Sequence, residues 1–402
     1  MIIKKNIAIA IIFQFFNVLG LPMPLLYTNI LSILRFDKVL LNKKYSRILF
    51  YVIIVSLLYF AFHYAIGINL FEYVKTLLLL IIVLINCFFI HRYILINKNE
   101  FAVIFEWIAK IGFILFIVSI PFFFWPESGL FYRWHNFGLG LLNIPRYKGL
   151  VYEPSFYALL STPVLIYYIS DIYANYRGFK SYVLFILVLI PYLLTLSLGA
   201  IALLFLSVFI VYGFSIIKRR VKKALVYMFL ILSLFGTLTF ITHNPISTRV
   251  NLLIQGKDSS GSGRTTDAFF LATVMANSKS LIFGIGLGQI KIVGEKYIRA
   301  FYNYNEGWKR VSLPNASAET LAIYGFLGFF LFRILLPLIL FIRFFDKLSL
   351  FNKNLFVFIF LYQFTGSFIT STVEYYIWIL SLTPLKDESE KLNVKVNKII
   401  KL

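Results

Sequence analysis

Leu77-Leu78-Leu79-Leu80-Ile81-Ile82-Val83-Leu84-Ile85 sits at the centre of an apolar run over residues 73–95, and this run decides the fold. As a helix, at about 1.5 Å of rise per residue, a stretch of this length crosses a hydrocarbon core of about 30 Å. Lipid offers no water to backbone N–H and C=O groups, so such a run must satisfy them internally and is helical. Comparable runs recur along almost the whole chain. Of its 402 residues 60% are hydrophobic and only 14% charged, where soluble chains average about 25% charged. The 45 Phe and 26 Tyr suit helices in lipid with aromatic residues at both interfaces. The reading is an all-α, polytopic transmembrane bundle, one integral membrane domain over residues 1–402.

Working outward from that run, spans are expected near 46–66, 73–95, 102–125, 153–171, 181–196, 199–217, 224–242, 318–343, 354–370 and 373–385. Lys4 and Lys5 before an apolar stretch resemble a signal peptide without a small-residue cleavage site, and read as a retained anchor. Residues 6–36 are long for one span and short for two, and Gly20, Pro22 and Pro24 interrupt them. Basic residues flank both ends, so a two-helix hairpin fits the positive-inside rule; a single span is the other reading. The total is then about twelve spans. The cluster Lys218, Arg219, Arg220, Lys222 and Lys223 falls inside, and both termini are expected in the cytoplasm.

The net charge of +22 would suggest nucleic acid in a soluble protein. Here most cations lie in short loops, where they set orientation, so no nucleic acid is expected. Cys87, the one cysteine, lies inside an apolar run, so an intramolecular disulfide and a cysteine metal site are excluded. His63, His91, His135 and His243 show no ligand spacing, and neither metal nor cofactor is expected.

Two connections fall outside, residues 126–152 and residues 243–317. The second is far longer than usual, and long loops are uncommon unless they carry function. It holds nine basic residues (Arg249, Lys257, Arg264, Lys279, Lys291, Lys296, Arg299, Lys309, Arg310) against four acidic ones (Asp258, Asp267, Glu295, Glu306). The shorter loop adds Arg133, Arg146 and Lys148 against Glu127. Long outer loops escape the positive-inside rule, so this charge is available for an anion; lipid head groups or plain solvation are the alternative. Within the long loop, residues 264–280 carry apolar side chains on a helical period, with Ser262 or Thr265 as cap and Gly284–Gly288 ending the element.

Three segments carry a resemblance. The first is Arg146-Tyr147-Lys148-Gly149 leading to Glu153-Pro154-Ser155. The second is Gly263-Arg264 before Gly284-Ile285-Gly286-Leu287-Gly288. The third is Asn315 followed by Gly325-Phe326-Leu327-Gly328. Together they resemble the O-antigen polymerase and ligase superfamily, and the chain is similar to its Wzy-type polymerases. The ligase pattern has a histidine where this chain has Pro314, which favours the polymerase. The resemblance implies a fold akin to the C-type glycosyltransferases in a bacterial inner membrane. It implies polymerisation of undecaprenyl diphosphate-linked repeat units into O-antigen or a related polysaccharide, and it leaves room for a chain-length regulator protein as partner.

In that chemistry an acceptor hydroxyl attacks an anomeric carbon and a lipid diphosphate departs. Fixed cations stabilise the leaving group; Arg146 and Arg264 are the expected catalytic ones, with Lys148 and Arg249 in support. Glu153, beside Pro154 at the mouth of a span, is the expected general base; a carboxylate that only complements the helix dipole is the other reading. Asn315 and Glu319 are expected to bind the sugar or to hold the loop. A lipid-linked glycan flippase, an O-antigen ligase and a structural partner in an export complex stand as rivals. Lys75, Glu106, Lys110 and Arg333 are the main charges inside spans, and a flippase would use them to line a cavity.

Overall fold

The structure, a computed structural model, describes residues 42–125, 128–135, 144–174, 178–216, 251, 255, 259–302 and 312–384. It is mostly helical. Three long helices come first: α1 (Lys43–Ala65), α2 (Leu70–Ile96) and α3 (Phe101–Phe123). Asn42 caps α1 by accepting from Lys44 and Tyr45 N–H, and Asn69 caps α2 by accepting from Glu72 N–H at 3.1 Å. A two-stranded hairpin follows, β1 (Tyr132–His135) against β2 (Ile144–Tyr147), antiparallel with Arg133 opposite Arg146.

Next come α4 (Pro154–Ala174), α5 (Phe179–Leu193) and α6 (Leu198–Ile216). The break between α5 and α6 lies where the polar Thr195 and Ser197 interrupt the apolar run; Thr195 Oγ1 donates to Tyr192 O and accepts from Ser197 N–H. The chain then gives α7 (Thr266–Asn277), α8 (Gly294–Tyr302), α9 (Ala316–Phe329), α10 (Leu336–Phe344), α11 (Leu350–Tyr362) and α12 (Thr372–Leu382).

Among the described residues five helical stretches are long and apolar enough to cross a membrane: Lys43–Ala65, Leu70–Ile96, Phe101–Phe123, Pro154–Ala174 and Ala316–Lys347. Phe179–Leu193, Leu198–Gly213 and Leu350–Tyr362 are shorter apolar helices. The chain is a multi-pass membrane protein, but these helices do not make up the expected twelve or so spans. The hairpin expected over 6–36 and the span expected over 224–242 lie outside the described residues. The spans expected near 354–370 and 373–385 appear as α11 and α12, of 13 and 11 residues, because residues 363–371 leave the helix. Thirteen residues of helix reach roughly 20 Å, short of a bilayer core.

The centre of the bundle is α4. In its most apolar window 72% is buried, against 17% for α1, whose Phe50, Leu57 and Leu58 face outward. Around α4 pack α5, α6, α11 and α12. The charges expected within spans are paired. Lys75 meets Glu72 at 3.4 Å, Glu106 joins Lys110 at 2.8 Å and Lys180 at 2.7 Å, and Arg333 meets Glu374 at 2.5 Å.

Residues 259–302, the larger described part of the long connection over 243–317, are built into the bundle. Their helix α7 lies within the expected 264–280, and Thr265 takes the cap position, although its hydroxyl donates to Gly261 O instead of capping. Buried Ala268, Leu271, Ala272 and Met275 pack with Leu321, Ala322 and Ile323 of α9 and with Tyr73 of α2. The glycine segment after α7 has a definite task. At Gly325, φ +68°, the helix α9 breaks, which frees backbone groups on either side. Residues 281–286 take them up. Ile285 and Gly286 N–H donate to Ala322 and Ile323 O at 2.9 and 3.0 Å, while Phe326 and Leu327 N–H donate to Leu281 and Ile282 O at 3.0 and 3.2 Å. A Cβ on Gly325 would collide with the Ile282 carbonyl, and one on Gly284 with the Ile323 carbonyl.

Replacing Gly325 by Ala is therefore expected to cost about 2–4 kcal/mol, from a positive φ and a collision with backbone that cannot retreat. Thermal unfolding of the purified protein in detergent measures this; an unchanged midpoint would contradict the close packing of the two segments.

Candidate functional site

Glu153 stands at the start of α4, where its carbonyl accepts from Phe156 and Tyr157 N–H at 3.0 and 3.3 Å. Its Oε2 accepts from Ser155 Oγ at a long 3.5 Å, so among the described residues the carboxylate is only weakly restrained. Arg264 ends the turn before α7, its N–H donating to Gly261 O at 3.1 Å. Far apart in the sequence, Glu153 and Arg264 line one small cleft, part of it open to the exterior. Ser155, Pro314, Tyr362 and Ser367 share its wall, and Phe156, Leu159 and Phe368 give it an apolar side. Tyr362 lies within electrostatic reach of both Arg264 and Glu153.

Asn315 explains why Arg264 is here. It is fully buried, with 0% of its surface exposed. Its Oδ1 accepts from Ala318 N–H at 2.9 Å and so caps α9. Its Nδ2 donates to Arg264 O and to Phe364 O, both at 2.6 Å. One amide thus joins the turn before α7, the start of α9 and the segment after α11. Of the two roles expected for Asn315, holding the loop is the one these bonds supply. Glu319, one turn further along α9, accepts from Ile369 N–H at 2.7 Å through Oε2 and ties down the same segment.

Arg146 and Lys148 occupy another place. Arg146, on β2, donates from Nε to Thr195 O at 2.7 Å, across the break between α5 and α6, and it is not part of the cleft wall. Lys148 Nζ donates to Val151 O at 3.2 Å. Burial, and then the charge of Arg133, hold the Lys148 ammonium below its ordinary pKa. The hairpin alternates as strands do. Tyr132 and Tyr147 pack inward, Tyr147 against Phe116 and Tyr157, while Arg133 and Arg146 share the opposite face. Arg249 lies outside the described residues. The structure thus joins Glu153, Arg264, Asn315 and Glu319 in one neighbourhood and sets Arg146 and Lys148 on a second.

Tyr362, Ser367 and Phe368 were not anticipated. The signal was present, since Gln363, Thr365, Gly366 and Ser367 interrupt an otherwise apolar run. Pro314 is on the cleft wall. No known protein family matches the chain, and no curated protein matches it.

What the cleft can do follows from its charges. A guanidinium offers a planar fork to phosphate oxygens and keeps its charge when water is excluded. A weakly restrained carboxylate can accept a proton from a hydroxyl brought within hydrogen-bond reach.

The Asn315 bracket makes a definite prediction. Asn315→Asp keeps the capping oxygen but removes both donors and buries a carboxylate against two carbonyls. It is expected to destabilise by about 2–4 kcal/mol, read as a lower unfolding midpoint; a midpoint equal to wild type would remove Asn315 as the bracket.

Proposed function

We infer that this protein polymerises undecaprenyl diphosphate-linked oligosaccharide repeat units at the outer face of a bacterial cytoplasmic membrane. The observation that carries the reading is the meeting of Glu153 and Arg264 in one partly open cleft. The reaction needs these two groups. Arg264 meets the charge that builds on the departing lipid diphosphate, and Glu153 takes the proton from the attacking acceptor hydroxyl. Removing one preorganised charge-stabilising donor of this kind costs about 3 kcal/mol of barrier. A positioned base contributes roughly 10²–10⁴-fold.

The apolar side of the cleft suits a polyprenyl chain, and its open side admits a second glycan. In this reading the chain has about twelve spans, both termini are cytoplasmic, and the connections over 126–152 and 243–317 face outward. Arg146 and Lys148 then meet the substrates from the hairpin, outside the cleft wall, and a chain-length regulator is an expected partner. The ligase alternative lacks its histidine, for Pro314 stands there. The flippase alternative would use Lys75, Glu106, Lys110 and Arg333 to line a charged central cavity, and each of them has an ion-pair partner.

Deleting the gene and separating surface lipopolysaccharide on a gel tests the reading. The expected result is a ladder reduced to core plus a single repeat, because repeats are still exported and attached but no longer joined. Loss of the single-repeat band as well would contradict it. In the complemented strain, Glu153→Gln is expected to lower polymer formation at least about 10²-fold. Arg264→Lys keeps the charge without the fork and is expected to shorten and slow the product; full-length ladders from either variant would remove that residue from its role.

A further inference from the structure

Three departures from ordinary packing lie on one connected network behind the cleft. Arg333 and Glu374 form an ion pair at 2.5 Å with side chains only 7% and 0% exposed. The turn that carries Arg333, Phe330–Leu335, is a π-helix. Ser367 holds φ +70°, in the left-handed region that favours glycine. A buried ion pair is seldom more stabilising than apolar side chains of the same volume. Single π-turns within helices often mark functional sites. A serine at positive φ persists only where its surroundings impose it. Stability accounts for none of the three.

Their connection leads to the cleft. Arg333 Nε donates to Thr320 Oγ1 at 2.8 Å. Gln363 Nε2 donates to Arg333 O at 2.9 Å and anchors the start of the non-helical segment. Glu319 accepts from Ile369 N–H at 2.7 Å, and the Tyr375 hydroxyl donates to Ile369 O at 2.9 Å, anchoring its end. Between the anchors, Ala316 N–H donates to Gly366 O at 3.1 Å. Ser367 is thereby held on the wall of the cleft that contains Arg264. Its Oγ is sheltered from solvent and has no hydrogen-bond partner among the described residues. A sheltered hydroxyl without a partner, on the wall of a ligand cleft and held in a strained conformation, is arranged to bond a ligand.

We propose that Ser367 is a ligand-contacting residue whose hydroxyl donates to a phosphate oxygen of the lipid diphosphate beside Arg264, and that Arg333 and Glu374 are positioning residues, their ion pair fixing the π-turn whose Arg333 carbonyl accepts from Gln363. The proposal rests on the functional reading above and extends it to residues that reading did not use. The pair does not touch the ligand; it sets where Ser367 stands.

The test uses the purified full-length protein and undecaprenyl diphosphate as the probe. Ser367→Gly accepts the backbone conformation freely and removes only the small hydroxymethyl group, so its fold is not at risk. It is expected to bind the probe about tenfold more weakly than wild type, the loss of one hydrogen bond to a charged group. The double variant Arg333→Met/Glu374→Leu replaces the pair by apolar side chains. It is expected to unfold near the wild-type midpoint, to bind about tenfold more weakly, and, in a Ser367→Cys/Cys87→Ser background, to change the rate of maleimide labelling. Should the double variant fail to fold, Arg333→Lys keeps the charge and loses the Thr320 contact, with a smaller weakening expected. Wild-type affinity in Ser367→Gly would overturn the contact. Wild-type affinity and labelling in the double variant, or in Arg333→Lys where that replaces it, would overturn the positioning role. No binding of the probe by wild type would remove the functional reading and this inference with it.

Discussion

A backbone N–H or C=O away from water must find a partner, and the rest of this structure depends on how that demand is met where helices break. Regular helices meet it within themselves. At Gly325 and over residues 363–371 they cannot. Non-helical backbone at membrane depth is tolerated where protein covers it or where it lines a cavity, and both breaks are covered from elsewhere in the chain. Residues 281–286 supply four backbone hydrogen bonds to the break in α9. The first turn of α9 supplies Ala316 and Ser317 N–H, together with the side chains of Asn315 and Glu319, to the break after α11. The N-terminal N–H groups of α9, without partners inside their own helix, thus meet carbonyls left over where another helix ends.

The site is a consequence of this exchange. Asn315 caps α9 and holds Phe364, and the same amide grips the carbonyl of Arg264. The backbone position of Arg264 is therefore set by the start of α9 and the break after α11. Further contacts hold the connection after α6 in place. His63 Nε2 lies 2.7 Å from Phe283 O, Lys279 donates to the carbonyls of Ile66 and Gly67, and Gln289 exchanges hydrogen bonds with Asn69. Within the connection that the sequence reads as a long outer loop, residues 279–289 are braced against the ends of α1 and α2 and against α9.

How much of this was legible follows from what hydropathy measures. The runs that became α1 to α4 were plain, with ends shifted by a few residues, because uninterrupted apolar stretches have one solution in lipid. The helix α7 was visible as a period of small and apolar side chains. The break at Gly325 was not, since one glycine barely alters a mean over twenty residues, and its partners lie some forty positions earlier in the chain. The same averaging merged Gln363, Thr365, Gly366 and Ser367 into an expected span. In the site, Glu153 and Arg264 were legible because charge at a span mouth or in a long loop is conspicuous. That Arg146 faces Thr195 and leaves the cleft wall to others was not, because it depends on the register of a hairpin whose strands are only four residues each. The interruption that contains Ser367 is visible in the sequence, but the backbone angle that sets Ser367 apart from its polar neighbours is not.

The most direct measurement of the central claim reconstitutes the purified protein in proteoliposomes with a defined undecaprenyl diphosphate-linked repeat unit and nothing else. The account predicts glycans of two or more repeats, with one undecaprenyl diphosphate released for each bond formed. Recovery of the lipid-linked repeat intact, whether left in place or moved across the bilayer, would contradict it.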